Sequence, residues 1–226
     1  MKTLSLALIV FALCSSAYAA EVSGPWDIYS VSVQPVQDTE ILTELAEAPP
    51  CAVQTMQPMS VTEIGWDEII NIGQKLWTII EANKPVVNVG PAPVANALPR
   101  GLTCWNQLEG WQAPKLASYE VAYKNGFGME VVKFRFRLQF TYGGGKDGKG
   151  KYLANVSVRP AEVNVMWGYT FNANVDVQQA VNLGTTDNPL AGLEMNLKWS
   201  VSTVFKQSDS SFHFFVQGDG VSQAQN

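Results

Sequence analysis

The second half of the chain alternates apolar and polar residues with a period of two, and this pattern limits the possible folds most strongly. In one stretch, apolar residues alternate with charged or polar ones; the apolar residues are Phe134, Phe136, Leu138, Phe140 and Tyr142. Such alternation is typical of antiparallel strands that bury one face and expose the other to water. Residues 163–177 form a long alternating run. We therefore predict five or six antiparallel strands, joined by hairpins, over residues 116–217.

A different pattern, that of an amphipathic helix, covers residues 61–84. Ser60 and Glu63 have the spacing of a capping box, which marks helix N-termini, and a proline follows Lys84. Isoleucine and tryptophan residues make one broad apolar face opposite a polar stripe. We predict that this helix packs on the sheet formed by the strands.

The remaining segments complete the predicted fold class. Alternation at Tyr29, Val31 and Val33 indicates one early strand. Repeated prolines predict an extended connector over residues 85–115. The predicted class is α+β, with one exported domain over residues 20–226. It consists of a mostly antiparallel β meander or sandwich of about six to eight strands, with one amphipathic helix packed on it.

The first 19 residues have the composition of an export signal. Lys2 precedes a ten-residue apolar run, and Ala17-Tyr18-Ala19 is typical of a cleavage site with small residues. The run is too short to span a bilayer as a helix. We expect cleavage after Ala19 and a mature bacterial protein that is periplasmic or secreted.

Two cysteines remain in the mature chain, Cys51 and Cys104. An even number in an oxidising compartment favours a structural disulfide between them. This bond would close a loop of about 50 residues and stabilise the fold by roughly 4 kcal/mol in the chain-entropy model. The alternative, a pair of redox-active thiols, lacks the C-x-x-C spacing.

Motifs for catalysis are incomplete in this sequence. Residues 143–150 match the G-x-x-x-x-G-K spacing of a phosphate-binding loop. However, Gly150 stands where that loop needs a hydroxyl, and a strand rather than a helix is predicted to follow. His213 is the one histidine, which excludes the usual zinc sites, and no G-x-S-x-G motif is present. We predict no catalytic residue, no cofactor and no metal ligand.

Positive charge is concentrated in one hairpin, although the whole chain has a net charge of −5. Residues 124–159 hold eight basic and two acidic residues. This hairpin could meet an anionic envelope component, or it could be a solvated strand face or pack under the acidic N-terminal segment. The acidic balance of the chain argues against a nucleic-acid partner. The candidate anionic-ligand surface consists of Lys133, Arg135, Arg137, Lys146, Lys149 and Lys151.

Three tryptophans, Trp26, Trp105 and Trp111, lie outside the periodic segments. They could stack on sugar rings beside strand faces that are rich in Asn, Gln, Ser and Thr. Alternatively, they could cap the core around the disulfide. These two readings imply different exposures for the three rings.

Together these features favour an exported, non-enzymatic binding or structural protein. Its partner would be an anionic envelope component, a glycan or another exported protein. A membrane-active β-protein that acts as an oligomer is the second hypothesis, because the long two-faced strands resemble membrane-associated hairpins in pattern. A glycan-binding or glycan-processing protein is the third. Such an enzyme would use two carboxylates. Four acids lie in the strand region, and no spacing marks two of them as partners; they are Glu120, Glu130, Glu162 and Glu194.

Overall fold

The computed structural model describes residues 24–37, 64–82 and 93–225. These residues form twelve β-strands and one short 3-10 turn, Trp105–Gln107. The strands are β1 (Ile28–Val36), β2 (Gly65–Gly73), β3 (Leu76–Ala82), β4 (Ala95–Arg100), β5 (Lys115–Asn125), β6 (Glu130–Lys146), β7 (Lys149–Val165), β8 (Thr170–Val177), β9 (Val181–Asn182), β10 (Ala191–Ser202), β11 (Gln207–Gln217) and β12 (Ser222–Gln225).

The strands make two antiparallel sheets. In the first sheet the order is β1-β5-β6-β7-β4-β2, and in the second it is β12-β11-β10-β8-β3, with β9 beside β10. The prediction of antiparallel strands over residues 116–217 is confirmed, because β5 to β11 cover that region. The early strand is confirmed as well, since β1 contains Tyr29, Val31 and Val33.

The core lies between the two sheets, as in a β-sandwich. The ring centroids of Phe134 on β6 and Phe171 on β8 are 4.9 Å apart. Those of Tyr119 on β5 and Phe212 on β11 are 5.0 Å apart. Phe136 lies among these rings and is fully buried. Tilted and edge-on ring contacts add to the burial energy of each ring, so the alternating residues of both sheets stabilise one shared core.

A buried hydrogen-bond chain also joins the sheets. The indole Nε1 of Trp199 on β10 donates to the hydroxyl of Tyr123 on β5 at 2.9 Å. That hydroxyl lies 3.1 Å from Ser210 Oγ on β11. Tyr123 is fully buried and Trp199 is nearly so. Because a buried polar group without a partner is costly, this chain favours one alignment of the two sheets.

We expect Tyr123→Phe to lower the free energy of unfolding by about 1–3 kcal/mol, because Trp199 Nε1 stays buried and loses its acceptor. Urea titration followed by tryptophan fluorescence measures the change. Tyr119→Phe is the matched control, since no hydrogen bond to the Tyr119 hydroxyl is found among the described residues. The control should change stability by less than about 0.5 kcal/mol. Equal losses in both variants would contradict the proposed role of the hydrogen bond.

The predicted helix over residues 61–84 is wrong. Its described part forms β2 and β3, which lie in different sheets: β2 pairs with β4, and β3 pairs with β8. Isoleucine and tryptophan suit strands as well as apolar helix faces, and pairing with distant strands decides between the two. Gly73 stands at the end of β2 with a φ of 151°, where a Cβ would come within 2.6 Å of Val94 O. The fold class is therefore β rather than α+β, since the described residues contain no α-helix.

One further prediction of local structure needs correction, and one alternating run divides between the two sheets. The predicted connector over residues 85–115 contains β4, whose Ala95 and Ala97 are fully buried between β7 and β2. Proline is rare inside strands, and the proline in β4 therefore favoured a connector. The run 163–177 is two strands, because the chain crosses from the first sheet to the second at residues 166–169. Alternation continues across this crossing, so the period alone does not reveal it.

Some predictions fall on residues outside the described part. These are the signal segment 1–19 with its cleavage after Ala19, and Cys51. Export and the Cys51–Cys104 disulfide therefore stay predictions. Cys104 itself is buried. In the part of the chain that the structure describes, no helix has the length and apolar character needed to cross a membrane.

Candidate functional site

Three turns and the segment before β1 meet at one end of the sandwich, which we call the apolar end. It consists of residues 24–27, 126–129, 166–169 and 203–206. The turns meet because β5, β7 and β10 all run towards this end and β6, β8 and β11 return from it. The apolar end therefore draws on both sheets.

Backbone oxygens of the segment before β1 hold the turns in place. Pro25 O accepts hydrogen bonds from Asn125 Nδ2 at 3.2 Å and from the Tyr169 hydroxyl at 2.7 Å. Trp26 O accepts a longer one, of 3.5 Å, from the Thr203 hydroxyl. One short segment thus fixes the relative positions of turns from different sheets.

Short polar side chains organise two of the turns. Asn125 Oδ1 accepts hydrogen bonds from the backbone N–H groups of Phe127 and Met129, each at 3.0 Å. Thr203 Oγ1 accepts one from the N–H of Phe205 at 3.2 Å. Such side-chain-to-backbone bonds are typical of turns begun by Asn or Thr. The turn backbones are thereby ordered, and the larger side chains at their tips are held in fixed positions.

Large apolar side chains occupy the tips of all three turns. Turn positions usually carry small or polar residues, so this composition is unusual. The exposed fractions are 62% for Phe127, 46% for Met129, 45% for Met166, 87% for Trp167, 83% for Val204 and 77% for Phe205. Tyr29, next to this end on β1, is 72% exposed. Every strongly exposed aromatic side chain of the described residues is therefore at or beside the apolar end, and such a patch marks an interaction surface.

Trp26 packs against Trp167, the most exposed side chain of the apolar end. Its ring centroid lies 5.7 Å from that of Trp167 and 6.0 Å from that of Tyr169. Gly168 has a φ of 87°, and a Cβ there would come within 2.1 Å of the Trp26 ring. The sequence Trp167-Gly168 therefore presents one indole to solvent while a second indole fills the space beneath it. Trp26 is itself partly buried, which makes it a supporting residue.

The charged groups within the apolar end form an ion pair. Lys206 Nζ lies 2.7 Å from Asp27 Oδ1. The Gly24 backbone N–H and the Lys206 ammonium lower the pKa of Asp27. Behind the tips, the exposed Lys124 and Glu130 stand opposite each other on β5 and β6. The apolar end thus has balanced charges around its hydrophobic tips.

The opposite end of the sandwich has a different character. Its turns carry exposed charged side chains, including Lys146, Lys149 and Asp187. The apolar side chains exposed at or near it are all aliphatic, with exposed fractions between 36% and 60%; they are Leu76, Leu116, Val181, Leu183 and Val221. The asymmetry between the two ends indicates that exposure of aromatic rings is specific to one of them.

Glu120 and Glu162 neutralise part of the predicted anionic-ligand surface. Glu120 Oε2 lies 2.8 Å from Arg135 Nη2 and 3.5 Å from Lys133 Nζ. Glu162 oxygens lie 3.6 Å from both of these cations. The hydrogen bond from Arg135, with the nearby Lys133 charge, lowers the pKa of Glu120 although desolvation opposes the shift. The outer face of the first sheet is therefore a network of both signs.

The structure does not bring the six predicted basic residues into one site. Arg137 lies beyond this network on β6, opposite Ser118 and Arg159. The other three residues lie at the β6–β7 hairpin, roughly 30 Å from Arg137 along the strand. Two groups of cations therefore replace the single surface that the sequence suggested. The members of the distant group are Lys146, Lys149 and Lys151.

We expect Glu120→Gln to lower the free energy of unfolding at neutral pH by on the order of 1 kcal/mol, because Arg135 and Lys133 lose a charged partner. The pKa of Glu120 is lower in the folded state. Its stabilisation is therefore complete above the unfolded-state pKa and is lost as the pH falls through the folded-state pKa. Urea titrations of both proteins from neutral to strongly acidic pH measure the difference. A difference that does not vary with pH would contradict this account.

The other sequence-derived candidates lie apart from the apolar end or from each other. Trp105 and Trp111 pack on each other with ring centroids 6.1 Å apart, near the β6–β7 hairpin at the opposite end from Trp26. The three tryptophans therefore do not share one stacking surface. Glu194 lies on the second sheet, away from Glu120 and its ion pairs.

No metal centre is evident within residues 24–37, 64–82 and 93–225. No three His, Cys, Asp or Glu side chains converge there into an arrangement that could hold an ion.

Comparisons with known proteins give no match. No protein-family model matches the chain, and none of the curated proteins or solved structures does so either. The chemistry of the apolar end is therefore the basis for a functional proposal. The sequence pattern does not reveal its tips, because Trp167 and Phe205 fit the strand alternation and Phe127 lies between two alternating segments. The available signal was an aromatic residue beside turn glycines, as in Gly126-Phe127-Gly128.

Proposed function

We propose that this chain is an exported, non-enzymatic binding protein that docks on a lipid bilayer through its apolar end. The observation that carries the proposal is the cluster of large exposed apolar side chains on three adjoining turns. Fully burying one Phe or Leu side chain is worth roughly 1.5–3 kcal/mol. Several such side chains together supply enough free energy for reversible membrane attachment.

The shape of the apolar end favours a bilayer over a folded protein partner. Its apolar side chains sit on protruding turns, with Trp167, Val204 and Phe205 more than three-quarters exposed. A protein partner would need matching pockets for each tip, whereas lipid chains rearrange around any protrusion. Tryptophan is also enriched at the boundary between lipid headgroups and acyl chains.

The charge distribution indicates which bilayers should be bound. Asp27 and Lys206 pair within the apolar end, and the basic hairpin tip lies at the other end of the sandwich. Docking should therefore depend on burial of apolar surface and need no anionic lipid. High salt, which screens charges between separate molecules, should have little effect.

Flotation of the purified mature protein with phosphatidylcholine vesicles tests this proposal. We expect the protein to float with the vesicles to the same extent at low and high salt. Flotation confined to anionic vesicles and lost at high salt would contradict it and would point to the basic residues of β6 and β7. Failure to float with either kind of vesicle would also contradict it. Retention of an enclosed dye during docking would distinguish attachment from an oligomeric pore.

A further inference from the structure

A second candidate site lies on the outer face of the second sheet, away from the apolar end. The antiparallel register places Glu194, Phe215 and Gln223 side by side across β10, β11 and β12. The next row along the same strands is Asn196, His213 and Gln225. We call these six residues the polar array. Five of them, all except Asn196, line an open groove on the sheet surface. Asn196 lies between Glu194 and His213 at the edge of this groove, within hydrogen-bond distance of both.

Asn196 links the two rows of the polar array. Its amide nitrogen donates to Glu194 Oε1 at 3.3 Å and to His213 Nδ1 when the amide is oriented to satisfy both neighbours. A neutral His213 that accepts at Nδ1 carries its proton on Nε2, which is then a donor. The array therefore presents amide, imidazole and carboxylate groups as donors and acceptors. Hydrogen bonds between its own members hold part of it in place.

The aromatic ring of Phe215 forms one side of the groove. Its neighbour across the strands is Glu194, and its ring also extends over Gly192. A Cβ on Gly192 would come within 2.8 Å of Phe215 Cζ. The absence of a side chain at Gly192 thus lets the ring lie close to the sheet. Phe215 is only partly buried, so part of the ring borders the groove.

We infer that the polar array binds a neutral saccharide. Sugar hydroxyls both donate and accept hydrogen bonds, which matches the mixed amide, imidazole and carboxylate groups of the array. The C–H face of a sugar ring is apolar and matches the exposed part of Phe215. Strand spacing makes the array about 10 Å wide and 7 Å long, a footprint suited to one or two sugar rings. The Glu194 carboxylate disfavours a polyanionic glycan.

This saccharide site is independent of membrane docking. It draws on residues of β10 to β12 on a sheet face, whereas the apolar end consists of turns at the strand ends. Variants of either surface should leave the other function unchanged. The two proposals can therefore fail separately.

Nuclear magnetic resonance titration tests the inference. The probes are neutral oligosaccharides of hexoses and of N-acetylhexosamines, added to about 10 mM so that binding with millimolar Kd is detected. We expect backbone amide shifts at residues 194–196, 213–215 and 223–225. Phe215→Ala and Asn196→Ala should each raise the Kd at least about tenfold. The control Ser200→Ala, on the outer face of β10 outside the array, should leave the Kd unchanged.

Three results would overturn the inference. The first is the absence of shifts with every neutral probe. The second is binding that Phe215→Ala and Asn196→Ala leave unchanged. The third is binding confined to oligosaccharides of uronic acids, because these carry negative charge. The dispersion of the amide resonances shows whether the two variants remain folded. Vesicle flotation of the same variants shows whether docking depends on the array.

Discussion

Replacing Phe127, Trp167 and Phe205 together by serine is expected to lower the affinity for phosphatidylcholine vesicles at least about 100-fold. Each substitution removes a large apolar side chain that would otherwise leave water on docking, at roughly 1.5–3 kcal/mol for full burial. Partial insertion reduces this value, but three substitutions together still exceed the roughly 2.8 kcal/mol that a 100-fold change requires, at about 1.4 kcal/mol per factor of ten. Flotation over a range of lipid concentrations measures the affinity.

A matched control separates docking from general surface hydrophobicity. Leu76, Leu183 and Val221 are also exposed, with fractions of 60%, 46% and 44%, but they lie outside the apolar end. Their joint replacement by serine should leave flotation unchanged. Equal loss of binding in the two triple variants would contradict docking by the apolar end. Urea titration of both variants shows whether either loss comes from unfolding.

Replacing Phe136 by alanine is expected to lower the free energy of unfolding by about 3–5 kcal/mol. The ring is fully buried and contacts Tyr119 and Phe134 in its own sheet and Phe212 and Phe214 in the other. Its loss leaves a cavity between the sheets, which a well-packed core fills incompletely. Urea titration measures the change.

Phe205→Ala is the matched control for this core substitution. It makes the same chemical change at a side chain that is 77% exposed, so stability should change by less than about 0.5 kcal/mol. The free energy of unfolding of Phe136→Leu should lie between those of the wild type and Phe136→Ala. This variant keeps the prediction measurable if the alanine variant does not fold. Similar stabilities for Phe136→Ala and wild type would contradict the assignment of this ring to the core between the sheets.

The sequence predicted the strands whose partners follow closely along the chain. Phe134 and Phe136 alternate with charged residues on β6, and β6 pairs with β5 and β7 on either side. The helix prediction for residues 61–84 is wrong because the strands that form there pair with distant segments of the chain. β2 pairs with β4, and β3 pairs with β8. The apolar residues of this segment also suit two edge strands of a sandwich, which bury only Ile69, Trp77 and Ile80 among their described residues. Pairing between distant segments, which no local pattern encodes, determines that residues 61–84 form strands and not a helix.

The apolar end was hidden by the same alternation that predicted the sheets. Trp167 and Phe205 continue the apolar positions of their neighbouring strands, although both residues lie in turns. A period of two does not show where a strand stops and the chain changes sheets. Trp26, in contrast, lies outside the alternation and is identifiable from the sequence, but its ring packs against Trp167 instead of forming the exposed surface.

Quenching of tryptophan fluorescence by lipids brominated on their acyl chains tests docking by the apolar end most directly. The account predicts that wild-type protein is quenched on mixing with these vesicles. Trp167→Phe should still float with the vesicles, because the phenyl ring retains most of the apolar surface, but it should lose most of the quenching. Quenching of equal size in wild type and Trp167→Phe, or none in wild type that has bound, would contradict insertion of this end into the bilayer.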